Sequence, residues 1–289
     1  MKAPKFSYVR AQSVEHAVKL LAEHGDDARI LAGGQSLMPA LNMRLSRPKL
    51  LIDINRLEHL AGAKFDGKNV RIGALTRHAD VMLSHMVAKY APLISMAIPH
   101  VGHVAVRNRG TFGGSVALAD PAAEMPACLL ALGGTIVLQS VRGIREVAAE
   151  DYFHGLYDTA RQPDELLLEA VIAPEPADMR AAFHELARRH GDFAMAGVAA
   201  RAKVESGKLT HVRLVYFGSE VKPTLAKTAM AATEGKPWNG ATRDAVAAAL
   251  AHDLDPMDNL MGEPATKLQW QRVLTKLALD QISGEATAA

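Results

Sequence analysis

Two short loops with paired glycines constrain this chain more than anything else in it. Gly33-Gly34 sits in Ala32-Gly33-Gly34-Gln35-Ser36, and Gly113-Gly114 sits in the long run Arg107-Asn108-Arg109-Gly110-Thr111-Phe112-Gly113-Gly114-Ser115-Val116-Ala117-Leu118-Ala119-Asp120. Glycine admits backbone angles and close approaches that a Cβ forbids. A loop built this way can turn several N–H groups toward one anion. The first loop follows an apolar run, Ala28–Leu31, that reads as a buried strand, and it precedes an apolar helical segment, Leu37–Leu45. The second is expected to remain a loop as far as a helix over Pro121–Leu132, with proline in its first turn. An anion near either helix start gains from the dipole. Alone, an isolated Gly-Gly loop reads better as a surface turn before a helix. Two of them 80 residues apart suit a diphosphate gripped from both sides. Neither is G-x-x-x-x-G-K-S/T or G-x-G-x-x-G, so the P-loop and Rossmann fingerprints are both absent.

The two loops, with Leu51-Ile52-Asp53-Ile54-Asn55, Ala119-Asp120-Pro121 and Gly191-Asp192-Phe193-Ala194, resemble the FAD-binding medium subunit of molybdenum hydroxylases. That group includes the xanthine dehydrogenase and carbon monoxide dehydrogenase families. The resemblance covers nearly the whole chain. It implies an α+β chain with a PCMH-type FAD-binding fold: two α+β subdomains holding FAD between them, then a C-terminal antiparallel sheet with helices. It further implies that Ala32, Gly33, Gly34, Gln35, Ser36 and Leu37 hold the cofactor from one side. Gly110, Thr111, Gly113, Gly114, Ser115 and Ala117 then hold it from the other, glycine N–H groups and hydroxyls meeting the pyrophosphate. Glu124 matches a carboxylate, usually Asp, that hydrogen-bonds the adenosine end. Val101 matches a position that is aromatic in the xanthine dehydrogenase branch, Leu167 an apolar residue near the flavin, and Phe193 a Tyr or Phe that covers a flavin face. His184 and Glu185 lie where relatives often carry lysine.

Each assignment has a plainer rival. The glycines can serve tight turns, Glu124 can complement a helix dipole, and Leu167 and Phe193 can be core residues. By the same resemblance the partners are a small subunit with two 2Fe-2S clusters and a large molybdopterin subunit, in a dimer of heterotrimers. Electrons then run from molybdenum through the clusters to FAD and on to an external acceptor. No catalytic acid or base is expected in this chain.

Composition narrows the remaining classes. The net charge is +2, too small to imply a nucleic-acid or membrane surface. A single cysteine, Cys128, excludes an intrachain disulfide and a cysteine-ligated cluster, and its apolar neighbours point to a core residue. No stretch is long and apolar enough to span a bilayer, and Met1–Phe6 lacks an apolar signal region, so a cytoplasmic location is expected. Among the histidines, His100-x-x-His103 has helical spacing, but Pro99 and Gly102 interrupt it and no third ligand stands nearby. A metal site is not expected.

The elements fall into units 1–56, 57–177 and 178–289. The first expects a strand at Phe6–Val9, a helix capped by Ser13 and ended by Gly25, then Ala28–Leu31, the loop, a helix over Leu37–Met43 and a strand at Leu50–Ile54. The second expects a hairpin about Asp66-Gly67-Lys68-Asn69, a helix capped by Thr76, a helix at Pro92–Ile98, a hairpin over Thr135–Gln139 and Ile144–Val147, and a strand at Leu166–Ile172. After a Pro174-Glu175-Pro176 linker come strands at Ala181–Arg189, Ala196–Glu205 and Leu209–Gly218. Helices at Thr224–Thr233, Thr242–His252 and Ala265–Ile282 follow, and Glu285–Ala289 is expected to fray. Two other functions stay open at this point. One is a self-sufficient flavin oxidase of the vanillyl-alcohol-oxidase type; the other is a non-enzymatic nucleotide-binding module.

Overall fold

Short apolar runs punctuated by glycine and polar turns give three sheets in succession along the chain, as the computed structural model of residues 2–284 shows. The expected fraying of Glu285–Ala289 lies outside the described residues. The first sheet is parallel, in the order β1 (Ser7–Arg10), β3 (Leu50–Asp53), β2 (Ala28–Leu31). All four residues of β3 are buried, as the central strand of a covered parallel sheet requires. Between β1 and β2 runs α1 (Val14–His24), whose Ser13 Oγ accepts from His16 N–H. Its buried positions Val14, Ala17, Val18 and Leu21 follow the three-to-four spacing of one helix face. Between β2 and β3 come the first glycine loop and α2 (Leu37–Asn42).

The second sheet is antiparallel, in the order β4 (Ala63–Phe65), β5 (Val70–Gly73), β10 (Leu166–Ile172), β6 (Thr135–Ser140), β7 (Gly143–Ala148). The turn at Asp66 forms as its sequence predicts, with Asp66 Oδ1 accepting from the N–H groups of Lys68 and Asn69. Between β5 and β6 lie α3 (His78–Leu83), α4 (His85–Tyr90), α5 (Pro92–Ala97), α6 (Val104–Arg107), α7 (Phe112–Leu118) and α8 (Glu124–Ala131). A small ribbon of β8 (Phe153–Gly155) and β9 (Asp158–Thr159) precedes β10. The third sheet runs β11 (Met179–Leu186), β12 (Ala196–Glu205), β13 (Lys208–Phe217), β14 (Thr224–Leu225), with β15 (Lys236–Pro237) also on β13. Ser206 and Gly207 join β12 to β13 with both φ values positive, the twist that two-residue hairpins favour. One face of this sheet packs on α9 (Lys227–Thr233), α10 (Gly240–Asp253) and α11 (Pro264–Ser283) through Ala182, Val198, Ala200, Leu214 and Tyr216. The alternate residues Ala181, Phe183, Ala199, Val215 and Phe217 join the core of the second unit. Every residue of α8 is buried, because this helix lies between the C-terminal sheet and α5 and α7.

Several local expectations change. The second glycine run is not a loop down to Pro121. Thr111 caps a helix there, its Oγ1 accepting from Gly114 N–H, and the apolar pair Phe112 and Val116 is buried one turn apart. That packing offsets the poor helix propensity of two glycines, about 1 kcal/mol each. The helix after Pro121 therefore begins later, at Glu124. Thr76 does not cap α3. Its hydroxyl is used by Gly62 and Gly73 backbone groups instead. Thr224 and Leu225 pair with β13 before α9 begins. His100 ends a turn of 3₁₀ helix and His103 precedes α6, so the two do not share a regular helix. Among the described residues no helix is long and apolar enough to cross a membrane.

Candidate functional site

The first glycine loop has a row of unused donors. The N–H groups of Gly33, Gly34, Gln35, Ser36 and Leu37 have no acceptor among the described residues. Buried or half-buried backbone donors normally find a partner; Gly33 is buried and Gly34 and Leu37 are half-buried, so their free N–H groups, continued by those of the exposed Gln35 and Ser36, indicate a place for something else. Gly34 has φ +71°, a conformation a side chain resists. Gly33 is glycine for another reason. A Cβ there would lie 2.5 Å from Arg109 O and 2.8 Å from Gly110 Cα. The two glycine runs, 80 residues apart in sequence, thus touch backbone to backbone at this point.

Ala32, Gly33, Gly34 and Gln35 line a cavity of about 500 Å³ together with Tyr8, Asp53, Asn55 and Arg109. That volume is in the range of small-ligand sites. Asn55 ties its floor together. Its Nδ2 donates to Ala32 O at 2.9 Å and Asp53 Oδ1 at 2.7 Å, and its Oδ1 accepts from Arg77 Nη2 at 2.7 Å. Arg77 Nη1 also donates to Arg109 O, which clamps the second run against the first. Burial pushes the Asp53 carboxyl up, but hydrogen bonds from Tyr8 and Asn55 outweigh it and hold the group below its ordinary range. Burial, reinforced by Arg109, lowers the Arg77 guanidinium.

The glycines of the second run behave differently from those of the first. Gly113 N–H donates to Ala74 O, and a Cβ on Gly113 would lie 2.5 Å from Ala74 Cα. Gly114 N–H is taken by Thr111 Oγ1, and Ser115 N–H by Thr111 O. In this arrangement these three N–H groups hold the second run in place and are not free donors. What the run offers a ligand is hydroxyl: Thr111 retains its own proton, and Ser115 is half-buried. Gly110 packs against His78 and Val106, and Ala117 is partly buried on the core.

The remaining candidates lie away from the loop cavity. Val101 and Leu167 are buried members of the second unit's core. Leu167 adjoins a β-bulge between Leu167 and Glu169, a device that re-aims side chains. Phe193 is 64% exposed, in the segment following β11. A Cβ on Gly191 would lie 2.9 Å from Gly102 O, so the Phe193 segment covers the stretch that carries Val101. Glu124 is buried in the first turn of α8, and burial, with Glu185 and Asp120 adding to it, pushes its carboxyl up to about 8. His184 bonds Gln281 across to α11. Cys128 is buried, and burial raises its thiol well above the ordinary value.

Asp53, Asn55 and Arg77 build the site and were not among its expected residues. The signal for the first two was present: two polar residues interrupt the apolar run Leu50–Ile54 and its end. Nothing local singled out Arg77.

Residues 4–176 match the family described as FAD binding domain in molybdopterin dehydrogenase, and residues 181–282 match the CO dehydrogenase flavoprotein C-terminal domain. The chain is 39% identical to the 6-hydroxypseudooxynicotine dehydrogenase complex subunit alpha of Paenarthrobacter nicotinovorans over 96% of its own length and 95% of the relative's. It is 36% identical to the glyceraldehyde dehydrogenase medium chain of Sulfolobus acidocaldarius, over 98% and 100% of the two chains. Among solved structures, carbon monoxide dehydrogenase from Hydrogenophaga pseudoflava lacking the Mo-pyranopterin moiety matches with a TM-score of 0.95 at 34% identity, over 99% of this chain and 100% of that one.

Proposed function

The chain belongs to the family of FAD-binding medium subunits of molybdenum hydroxylases, and from that premise we propose that it holds one FAD non-covalently and passes electrons through it. The observation that carries the reading is the row of five unused N–H groups, Gly33 to Leu37, closed on one side by the second glycine run. Those donors meet the pyrophosphate, with Thr111 and Ser115 hydroxyls adding to them from the facing run. Glu124 takes the adenosine end, and Val101, Leu167 and Phe193 lie about the flavin. The cofactor, once bound, supplies the capacity to accept and return electrons. This chain's residues bind it, orient it and restrict water around it.

On this reading the partners are a small subunit with 2Fe-2S clusters and a large molybdopterin subunit, assembled as a dimer of heterotrimers in the cytoplasm. Substrate oxidation takes place on the large subunit, and electrons reach this chain through the clusters before leaving to an external acceptor. The division into 1–56, 57–177 and 178–289 places the cofactor between the first two units. It puts the partner surface near the junction of the second and third, around Leu167 and Phe193.

The test uses the isolated full chain and the co-expressed complex. The isolated chain is expected to bind FAD, to release it into the supernatant on acid precipitation, and to leave heterocycles and aldehydes untouched. The complex is expected to reduce its flavin on addition of substrate. Substrate-driven flavin reduction by the isolated chain, free of iron and molybdenum, would overturn the reading in favour of a self-sufficient oxidase.

A further inference from the structure

Two guanidinium groups stand at the loop cavity, and among the described residues no carboxylate is within ion-pair distance of either. Arg109 lies in the second glycine run and lines the cavity together with Gly33, Gly34 and Gln35. Its carbonyl is committed to the contact between the runs, where it faces Gly33 and accepts from Arg77 Nη1. Its side chain is not committed. The residue is exposed, and among the described residues its guanidinium has neither a hydrogen-bond acceptor nor an ion-pair partner. Arg77 is half-buried, and its nitrogens reach Arg109 O and Asn55 Oδ1, both neutral acceptors. The two charges sense each other: burial first, then Arg109, lowers the Arg77 guanidinium, and Asp80 and Asp53 offset this only in part. Asp53, the carboxylate in the cavity wall, is already occupied. It accepts from Tyr8 Oη–H, from Asn55 N–H and from Asn55 Nδ2, and it lies 3.7 Å from Arg10 Nε.

Arginine does not shed its proton at ordinary pH, so two such groups held near each other repel unless an anion joins them. The cavity that Arg109 lines also carries the unused N–H groups of Gly33, Gly34 and Gln35. Neutral N–H donors accept many kinds of oxygen. A guanidinium adds charge and a planar fork that matches phosphate oxygens. We propose that the Arg109 side chain is a further cofactor-binding group, that it closes on the diphosphate of FAD, and that the cavity therefore selects the diphosphate rather than the flavin ring. The proposal rests on the reading that the glycine loops hold the pyrophosphate. Arg77 contributes charge from a fixed position, because turning its nitrogens to a ligand would release Asn55 and Arg109 O. Arg109 is the one of the two whose side chain is at liberty to move. A bound diphosphate relieves the repulsion that the pair carries when the cavity is empty of anion.

The experiment titrates the deflavinated full chain with FAD, ADP and riboflavin at about 0.05 M and about 0.5 M salt, in wild type, Arg109→Gln and Arg109→Lys. Flavin fluorescence follows FAD and riboflavin, and displacement of FAD follows ADP. Wild type should bind FAD and ADP, both more weakly at high salt, and should hold riboflavin far less tightly. Arg109→Gln should lose about tenfold in affinity for FAD and for ADP alike, as expected for one charge-assisted group. Its salt dependence should be shallower than that of wild type. Arg109→Lys keeps the charge without the fork, so it should retain the salt dependence and part of the affinity. The melting temperature of apo Arg109→Gln should hold or rise, because a repulsion with Arg77 is removed while the Arg109 backbone contacts remain. A role confined to packing would lower it and would weaken binding equally at both salt concentrations. Unchanged FAD affinity and salt dependence in Arg109→Gln would overturn the proposal, as would a loss for FAD that ADP does not share, or equal wild-type affinity for riboflavin and FAD. A folded wild type that binds no FAD at either salt concentration would instead overturn the proposed function.

Discussion

Replacing Gly33 with alanine puts the contact between the two glycine runs to a direct test. The new Cβ would stand 2.5 Å from Arg109 O, 2.8 Å from Gly110 Cα and 3.1 Å from Thr111 N. All three are backbone atoms, so no side chain can rotate away. Ordinary contact begins near 3.4 Å, so the two runs must part by about 0.9 Å at Arg109 O. That carbonyl also accepts from Arg77 Nη1, and Arg77 in turn holds Asn55, so the displacement reaches the cavity floor. Overpacking of this kind costs about 1–3 kcal/mol. Taken from FAD binding, it is a loss of about 5-fold to 150-fold in affinity. Flavin-fluorescence titration measures it, and circular dichroism melting of the apo chain shows whether the cost falls on folding instead. Lys49→Ala is the control: Lys49 is 78% exposed and paired only with Asp27, a surface pair of little consequence. Wild-type affinity and an unchanged melting temperature for Gly33→Ala would show that the runs are not in rigid contact, and the account of the cradle would fail.

Three further outcomes follow from the same geometry. Asn55→Ala strands Arg77 Nη2 and Ala32 O and should cost about 1–3 kcal/mol in urea unfolding, with weaker FAD binding; a change under a few tenths of a kcal/mol would contradict the tie. His78 is held down to about 4 by burial and then by Arg107. Its contribution to stability is complete above its ordinary value of 6.5 and is lost as the pH falls from there through about 4, a swing of about 3 kcal/mol. His78→Leu should flatten the stability profile in that window, and an unaltered slope would refute the assignment. Phe193→Ala should leave urea stability within about 0.5 kcal/mol, since the ring is exposed, yet raise quenching of bound flavin by iodide; unchanged quenching would remove Phe193 from the flavin.

The elements were legible wherever a local interaction decides them. Ser13 capping α1, the Asp66 turn, and the alternation along β11 to β13 all depend on neighbours a few residues away or on a simple period. The first glycine loop was equally readable, because a strand, two glycines and an apolar helix follow one another within a few residues. The second run was misjudged as a loop because glycine content predicts weak helix, whereas Phe112 and Val116 are buried in the core and Thr111 supplies the cap. The sequence also could not say that Gly113 exists to let Ala74 approach while Gly34 exists for its backbone angle. Those are different uses of one residue type, and only the partner surface separates them. Arg77 became part of the site through contacts with Asn55, 22 residues away, and Arg109, 32 residues away. Glu185 lay where a charged residue is normally solvated, yet in the fold its side chain is 4% exposed and stands 3.2 Å from His100 Nδ1. Sequence determines what depends on propensity and period; burial and close approach between distant segments are properties of the assembled fold, and here they decide which donors stay free.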